Sequence, residues 1–509
     1  MITKRRTPTV SSSALSVAVL LIIGSAQPVL ADNGTDTALL RDAVSAENII
    51  SHLQELQAIA DANDGNRAAG TSGHVASAEY IEGQLQAAGY ETERQYFTYP
   101  KFVVDLAVLA QTAPTQTTYT YADEYRDMTS SAEGDVTAPV TAVDVNLAGD
   151  RASTSGCEAS DFEGFPAGNI ALIQRGTCDF ALKAANAAAA GASAVIIFNQ
   201  GNVNLADDRF GVVNGTLGEA GSTIPVVGTS FAIGEELAAT EGLEMRVALD
   251  THEELVETFN VLADTAGRAD RTVLVGAHLD SVAEGPGIND NGSGSAAILE
   301  TAIQIAELGI EPTNRIRFAF WSGEEDGLIG SDYYVSQLSA RDIKNHAVNL
   351  NFDMVASPNP VRFVYDGDGG AFGAEGPNGS DTVEDVFLDY FASQGLATAP
   401  TEFDGRSDYF GFIENGIPAG GLFTGAEGIK SEEEADIFGG TAGRPYDPCY
   451  HAACDTISNI DPVVLEEMAD AIAHTTLTFA MTTSAVKGTA QGGGKAANDF
   501  AFKGNHSLR

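Results

Sequence analysis

The 509-residue chain carries 27 Lys and Arg against 71 Asp and Glu, a formal net charge of −44. Such an acid excess excludes a protein built to hold nucleic-acid phosphates, which requires a basic face. With 44% hydrophobic and 19% charged residues, the composition is that of a folded chain, and its length suits two or more domains that each bury a core.

At the start of the chain Lys4, Arg5 and Arg6 precede an apolar run over 14–24, and Val29-Leu30-Ala31 ends in a small residue before Asp32. A basic start, an apolar stretch and a small-residue site form the pattern of a cleaved secretory signal, here residues 1–31. The apolar run is about half the ~20 residues that a membrane helix needs. The paired arginines lack the apolar context of a twin-arginine signal. An exported protein without a membrane span is therefore expected, in the periplasm or the medium. Residues 38–64 set apolar side chains at helical spacing, and a second helix is expected over 75–88, stopped by Gly89. The Tyr-, Thr- and Val-rich stretch 90–125 reads as strands.

Composition shifts to small residues over 136–250. Strands are expected at 169–174 and 194–198, an Ala-rich helix between them at 180–190, and a further strand at 224–227. No His cluster or carboxylate pair sits within a motif there, so this stretch reads as an inserted module without chemistry of its own. From Asn260 strands and helices alternate: strands at 272–276, 315–321, 348–352 and 361–365, and helices at 293–308, from about 327, at 381–394 and at 462–480. The alternation predicts an α/β fold with a mixed, mostly parallel central sheet flanked by helices. Segments 37–135 and 251–484 would form one discontinuous domain around the module. The Gly-rich residues 485–509 would be a mobile tail. No internal repeat is visible.

Four cysteines, Cys157, Cys178, Cys449 and Cys454, allow three pairings. Proximity favours 157 with 178 and 449 with 454, which an exported chain permits. A structural zinc site would call for paired Cys-x-x-Cys knuckles, which the spacing lacks.

Five short segments expose metal-type ligands just past predicted strands or in loops. They are GAHLDS from Gly276, GINDNG from Gly287, SGEEDG from Ser322, NFDM from Asn351 and CYHAAC from Cys449. In open α/β sheets the functional crevice lies beyond the carboxyl ends of the strands, where His278, Glu324, Glu325 and Asp353 fall. Taken singly, each is ordinary: acids suit a helix N-terminus, Asp290 suits a turn, and His451 suits a surface loop. In this order they form a ligand set of imidazoles and carboxylates suited to zinc.

The ordered set resembles the bacterial leucyl-aminopeptidase family of co-catalytic di-zinc metallopeptidases. The similarity extends to NRAAGTSG at 66–73, GRSDYFGF from Gly405 and GGLFTG from Gly420. Residues around Cys157, GNIALIQRGTC and GASAVIIFNQ resemble a protease-associated domain, a module often inserted in this family without a catalytic role. The resemblance implies a zinc-exopeptidase fold and two Zn2+ per chain. Asp290 would bridge the ions, with His278 and Asp353 completing one and Glu325 and His451 the other. Glu324 would act as general base toward a metal-bridged water, and Asp280 would accept the second imidazole N–H of His278. Tyr450 matches a residue that polarises the oxyanion, or is a packed aromatic beside the disulfide. Met354 and Phe423 match an apolar specificity pocket, although for either residue alone core packing is the simpler explanation. Arg406 lies where the family offers a carbonyl to the substrate amine, or else forms a surface ion pair. Some relatives bind Ca2+, for which Asp461 is a candidate, though it also suits a helix cap before Pro462.

The expected activity is removal of N-terminal, apolar, leucine-like residues from peptides or small proteins by a monomeric enzyme. A glutamate-releasing carboxypeptidase of the same superfamily is the rival enzyme, but it needs a cationic pocket, and only Arg362, Arg406 and Arg444 are scattered near the motifs. A binding protein that lost its chemistry, like the transferrin-receptor relatives, would show missing ligands, whereas here every position is filled.

Overall fold

The computed structural model describes residues 34–202 and 209–487. The expected signal segment and most of the expected tail lie outside the described residues. The helical stretch predicted over 38–64 is two helices, Ala38–Arg41 and Ala46–Ala62. Ser45 divides them: its backbone is extended and its hydroxyl accepts from the Asn48 N–H at 3.3 Å, an N-cap that starts a new helix. Thr71 caps Ser72–Ala87 in the same way, and Gly89 takes a positive φ beyond its end.

Among the described residues the strands join in one 15-stranded sheet, with Thr92–Ala113 and the short Thr117–Thr118 lying off its main path. Its heart is parallel: Asn314–Trp321, Arg268–His278, His346–Phe352 and Ala419–Phe423 lie side by side in that order. Every residue of His346–Phe352 and all of 272–278 are buried. Such continuously buried runs mark strands covered on both faces. Helices Ala46–Ala62, Gly294–Glu307 and Pro462–Met481 supply cover, and Leu53, Leu299, Leu350 and Leu465 meet in the main core. Helix Gly294–Glu307 packs closely on a strand end: a Cβ at Gly294 would stand 2.2 Å from the Phe352 carbonyl oxygen.

The second unit has its own parallel strands, Gly134–Val143, Ile170–Gln174, Ala194–Phe198 and Val226–Thr229. Alternation builds two cores from the same strands: Ile170, Leu172 and Ile196 face one way, and Ala171, Ile173 and Ile197 the other. Cys157 and Cys178 are bonded, as are Cys449 and Cys454.

Strand structure was expected within 90–125, but the strand Glu244–Asp264 and its long pairing with that stretch were not. Thr92–Ala113 is a single strand of 22 residues, paired antiparallel along its length with the 21-residue Glu244–Asp264. At one end this ribbon borders Asn314–Trp321, and at the other it borders Gly134–Val143. It thus passes through the compositional boundary that marked the inserted module. Charged residues at 250–257 interrupt the alternation of the second strand and conceal its continuity.

Candidate metal centre

Strand register sets the level of the site. His278 pairs with Trp321, and Gly276 pairs with Asn351, which brings Asp353 to the height of His278. Glu324 and Glu325 follow Trp321 in the turn before helix Ile329–Ser336. Asp290 enters from the segment ahead of helix Gly294–Glu307, and His451 from the disulfide-closed loop 449–454.

The two oxygens of Asp290 face in different directions. Oδ1 lies 3.3 Å from His278 Nε2, and Oδ2 lies 3.2 Å from His451 Nε2. Asp353 Oδ1 is 3.4 Å from His278 Nε2, and Glu325 Oε2 is 3.1 Å from His451 Nε2. Glu324 Oε2 stands further off, 3.8 Å from His278 Nε2. Donor atoms of His278, Glu324 and Asp353, and of His278, Asp290 and Glu325, fall within 4.8 Å of one another. The structure therefore brings together all five residues that the resemblance implies as ligands, with Glu324 beside them.

Buried polar atoms here have no hydrogen-bond partner: His278 Nε2, Glu325 Oε1 and Asp353 Oδ1. Groups of that kind are costly unless something else satisfies them. Burial and neighbouring carboxylates push Glu325 up to about 7 and Glu324 well above the carboxylate range. Burial opposes charge on His451, yet Glu325 and Asp290 outweigh it and raise the imidazole to about 10. Four carboxylates and two imidazoles so crowded form a donor set of zinc-type chemistry, and its unpartnered atoms fit divalent cations.

Support comes from residues that sequence reasoning did not single out. Buried Arg67 donates to the carbonyls of Leu279, Pro286 and Gly287, tying together the loops that bear His278 and Asp290. Asp455 accepts from the N–H groups of Asn289 and Asp290 at 2.9 and 3.0 Å. Ser407 Oγ donates to Asp353 Oδ2 at 2.6 Å. Asp408 is buried beside the cluster, and desolvation, together with Asp353, lifts it to about 8 although His278 opposes the rise. Each acts across a long sequence interval, and the only signal was that Arg67, Ser407 and Asp408 lie in segments sharing the resemblance.

Asp280 differs in detail from expectation. His278 Nδ1 is 3.1 Å from the Asp280 main-chain oxygen and 3.7 Å from its carboxylate, so the carbonyl is the nearer acceptor. Asp461 serves as a helix cap, accepting from Val463 and Val464 N–H at 2.8 and 3.3 Å.

A cavity of about 460 Å3 opens on the cluster. Met354, Phe363 and Phe423 give it an apolar wall, and Tyr450 and His451 close another side. Tyr450 stacks on His451 with ring centroids 3.8 Å apart, and its hydroxyl accepts from Arg406 Nη2 at 3.2 Å. Arg406 is half-buried and forms an ion pair with Glu427 at 2.8 Å.

Comparison with known proteins fits this arrangement. Residues 260–476 match the model of Peptidase family M28, and residues 136–237 match that of the PA domain. An aminopeptidase of Pseudomonas aeruginosa is 49% identical over 449 residues, covering 87% of this chain and 82% of that protein. A probable leucine aminopeptidase 2 of Aspergillus fumigatus is 39% identical over 81% of this chain and 79% of its own length. The crystal structure of a zinc aminopeptidase from Bacillus subtilis superposes with a TM-score of 0.63 at 27% identity, covering 85% of this chain and 94% of that one.

Proposed function

Since the chain belongs to peptidase family M28 and carries an inserted PA domain, we propose that it removes apolar N-terminal residues from peptides by a two-zinc mechanism. It is a metallo-aminopeptidase. One observation carries the two-metal reading: the oxygens of Asp290 point to two separate imidazole–carboxylate pairs. His278, Asp353 and one Asp290 oxygen would hold one ion, and His451, Glu325 and the other oxygen the second. When bound, such a pair supplies Lewis acidity toward the scissile carbonyl and toward the attacking water.

The remaining work falls to the chain. Glu324 takes the proton of the attacking water and delivers it to the leaving amine. It sits beside the ligands but further from His278 than Asp290 or Asp353, which suits a base rather than a ligand. Tyr450 offers its phenol toward the developing oxyanion and is oriented by Arg406 and by stacking on His451. Asp280 steadies His278, mainly through its carbonyl. Met354, Phe363 and Phe423 form the apolar receptacle for the first side chain, and the carbonyl of Arg406 would receive the free α-amine. Arg406 is the single Lys or Arg among the residues lining the cavity, and Glu427 already neutralises it. A pocket for terminal carboxylates has no cation to offer.

Two disulfides suit an oxidising compartment, and the basic-apolar start suits export. Among the described residues no helix is long and apolar enough to cross a membrane. Metal analysis paired with a substrate panel tests the proposal. Two zinc per chain, cleavage of leucine anilide, loss of cleavage with phenanthroline and no cleavage of N-terminally blocked peptides are expected. A zinc-loaded protein that hydrolyses blocked peptides and ignores free ones would overturn it.

A further inference from the structure

The turn that carries Glu324 and Glu325 is held from outside by the long ribbon. Asn260, on the strand Glu244–Asp264, accepts from the Ser322 N–H at 3.1 Å and donates to the Gly330 carbonyl at 2.8 Å. Thr258 Oγ1 meets Ser322 Oγ at 2.7 Å. These contacts secure the two ends of the turn. Its middle is held by Tyr99, on the partner strand Thr92–Ala113.

Tyr99 brackets the two glutamates. Its ring carbon Cε1 lies 3.6 Å from where a side chain at Gly323 would begin. Its hydroxyl donates to Asp326 Oδ2 at 2.5 Å, and Lys101 Nζ reaches the same oxygen at 3.0 Å. One contact therefore precedes Glu324 and the other follows Glu325. Gly323 takes a φ of +75, a region that favours glycine, and a Cβ there would meet Ile329 at 3.2 Å while the Tyr99 ring lies in ordinary contact. Tyr99 is 4% exposed and packs with Phe97 and Val256 against Ile329 and Tyr333, at the helix that ends the turn. Phe97 and Tyr333 stack with centroids 5.0 Å apart. The glutamates themselves touch nothing on the ribbon in these contacts, and Glu324 N–H instead faces Asp280 Oδ1 at 3.4 Å.

We propose that Tyr99 is a positioning residue for the reaction, acting through Asp326 to hold the Glu324–Glu325 turn in register with the metal ligands. The inference rests on the reading of Glu324 as the base. The lever is of an uncommon kind, because the same two strands that hold the turn continue into the sheet of the inserted module. That module is thereby mechanically joined to the base without contributing a group to the reaction. Displacing a reacting group by about 1 Å costs on the order of a hundredfold in rate. A turn loosened at one of its anchors loses part of that.

The experiment compares Tyr99→Phe, Asp326→Ala, Asp326→Asn and Glu324→Gln in the full chain, reading kcat, KM, zinc per chain and thermal midpoint. Tyr99→Phe keeps the ring and removes the donor, and Asp326→Ala removes the acceptor. Both are expected to lower kcat roughly tenfold or more, with KM within about twofold and zinc content unchanged. Asp326→Asn keeps an oxygen for the Tyr99 hydroxyl and should recover most of the loss seen with Ala. The inference is overturned if kcat is unaltered in Tyr99→Phe and Asp326→Ala. It is also overturned if the loss follows missing zinc or a collapsed midpoint, or if Asn is no better than Ala. Glu324→Gln separates the two levels: if it turns over normally, the base assignment itself fails. If it is inactive while Tyr99→Phe is normal, only the positioning role is lost.

Discussion

His74 shows what burial does to a single titratable group in this protein. It is 1% exposed near the start of helix Ser72–Ala87, where its Nδ1 meets Thr258 Oγ1 at 3.5 Å. Burial, aided by the positive charge of Arg67 and Arg94 and opposed by Asp280, lowers its imidazole to about 4. The unfolded chain titrates near the ordinary 6.5. Between pH 6.5 and 4 the unfolded state therefore binds a proton that the folded state refuses, and stability falls as pH drops through that window. The full effect is up to roughly 3 kcal/mol, complete below about pH 4. Urea titrations at pH 7 and pH 5 should show His74→Gln losing less stability than the parent over that interval. A parallel loss in both would remove His74 as the cause. The crowded imidazoles and carboxylates of the candidate site are different in kind. His278, Asp290, Glu324, Glu325, Asp353 and His451 were candidates in the sequence because their five short segments, ordinary one by one, follow each other in an order that resembles a known ligand set. Arg67, Ser407, Asp455 and Glu427 could not, because their contribution exists only once the loops meet.

Among the elements, helix Pro462–Met481 is largely buried, with Leu465, Met468, Ile472 and Phe479 all in the main core. Its start is set by Asp461, whose carboxylate satisfies Val463 and Val464 N–H, with Pro462 at the first helical position. Asp461→Ala should cost about 1 kcal/mol of unfolding free energy. The cost should be the same with and without added calcium, because the side chain is engaged as a cap. A loss that appears only in calcium would restore the ligand reading. Elements built on local rules were legible: the capped helices, the glycine stop at Gly89 and the apolar parallel strands appear close to where periodicity put them. The ribbon was not. Its strands are long, half-exposed and paired over more than a hundred residues of sequence, and the acidic stretch 250–257 resembles a loop until its partner is beside it. Composition placed the end of the module at residue 250, and the strand Glu244–Asp264 runs across that point without a break.

At the level of the whole molecule, the acidity is separate from the chemistry. The candidate site uses Asp280, Asp290, Glu324, Glu325 and Asp353, a small part of the 71 acidic residues behind the charge of −44. The rest repels itself across the surface, an unfavourable term that dissolved salt screens within about 10 Å at 0.1 M. The thermal midpoint should therefore rise when sodium chloride is increased from 10 mM to 0.5 M at pH 7.5. No rise would mean that surface ion pairs, such as Arg246–Asp135 and Arg268–Asp270, already balance the repulsion. The shared ribbon also limits how far the two units can be treated as separable parts. Deleting residues 136–250 would cut away the first part of Glu244–Asp264 and strip the last part of Thr92–Ala113 of its partner, since Leu106–Ala113 pairs with Glu244–Asp250. The shortened protein would present a bare strand to its neighbours, and bare strands find one another. A version of this enzyme without its insert should elute as a dimer or larger species, with its catalytic residues intact and a surface that does not stay single.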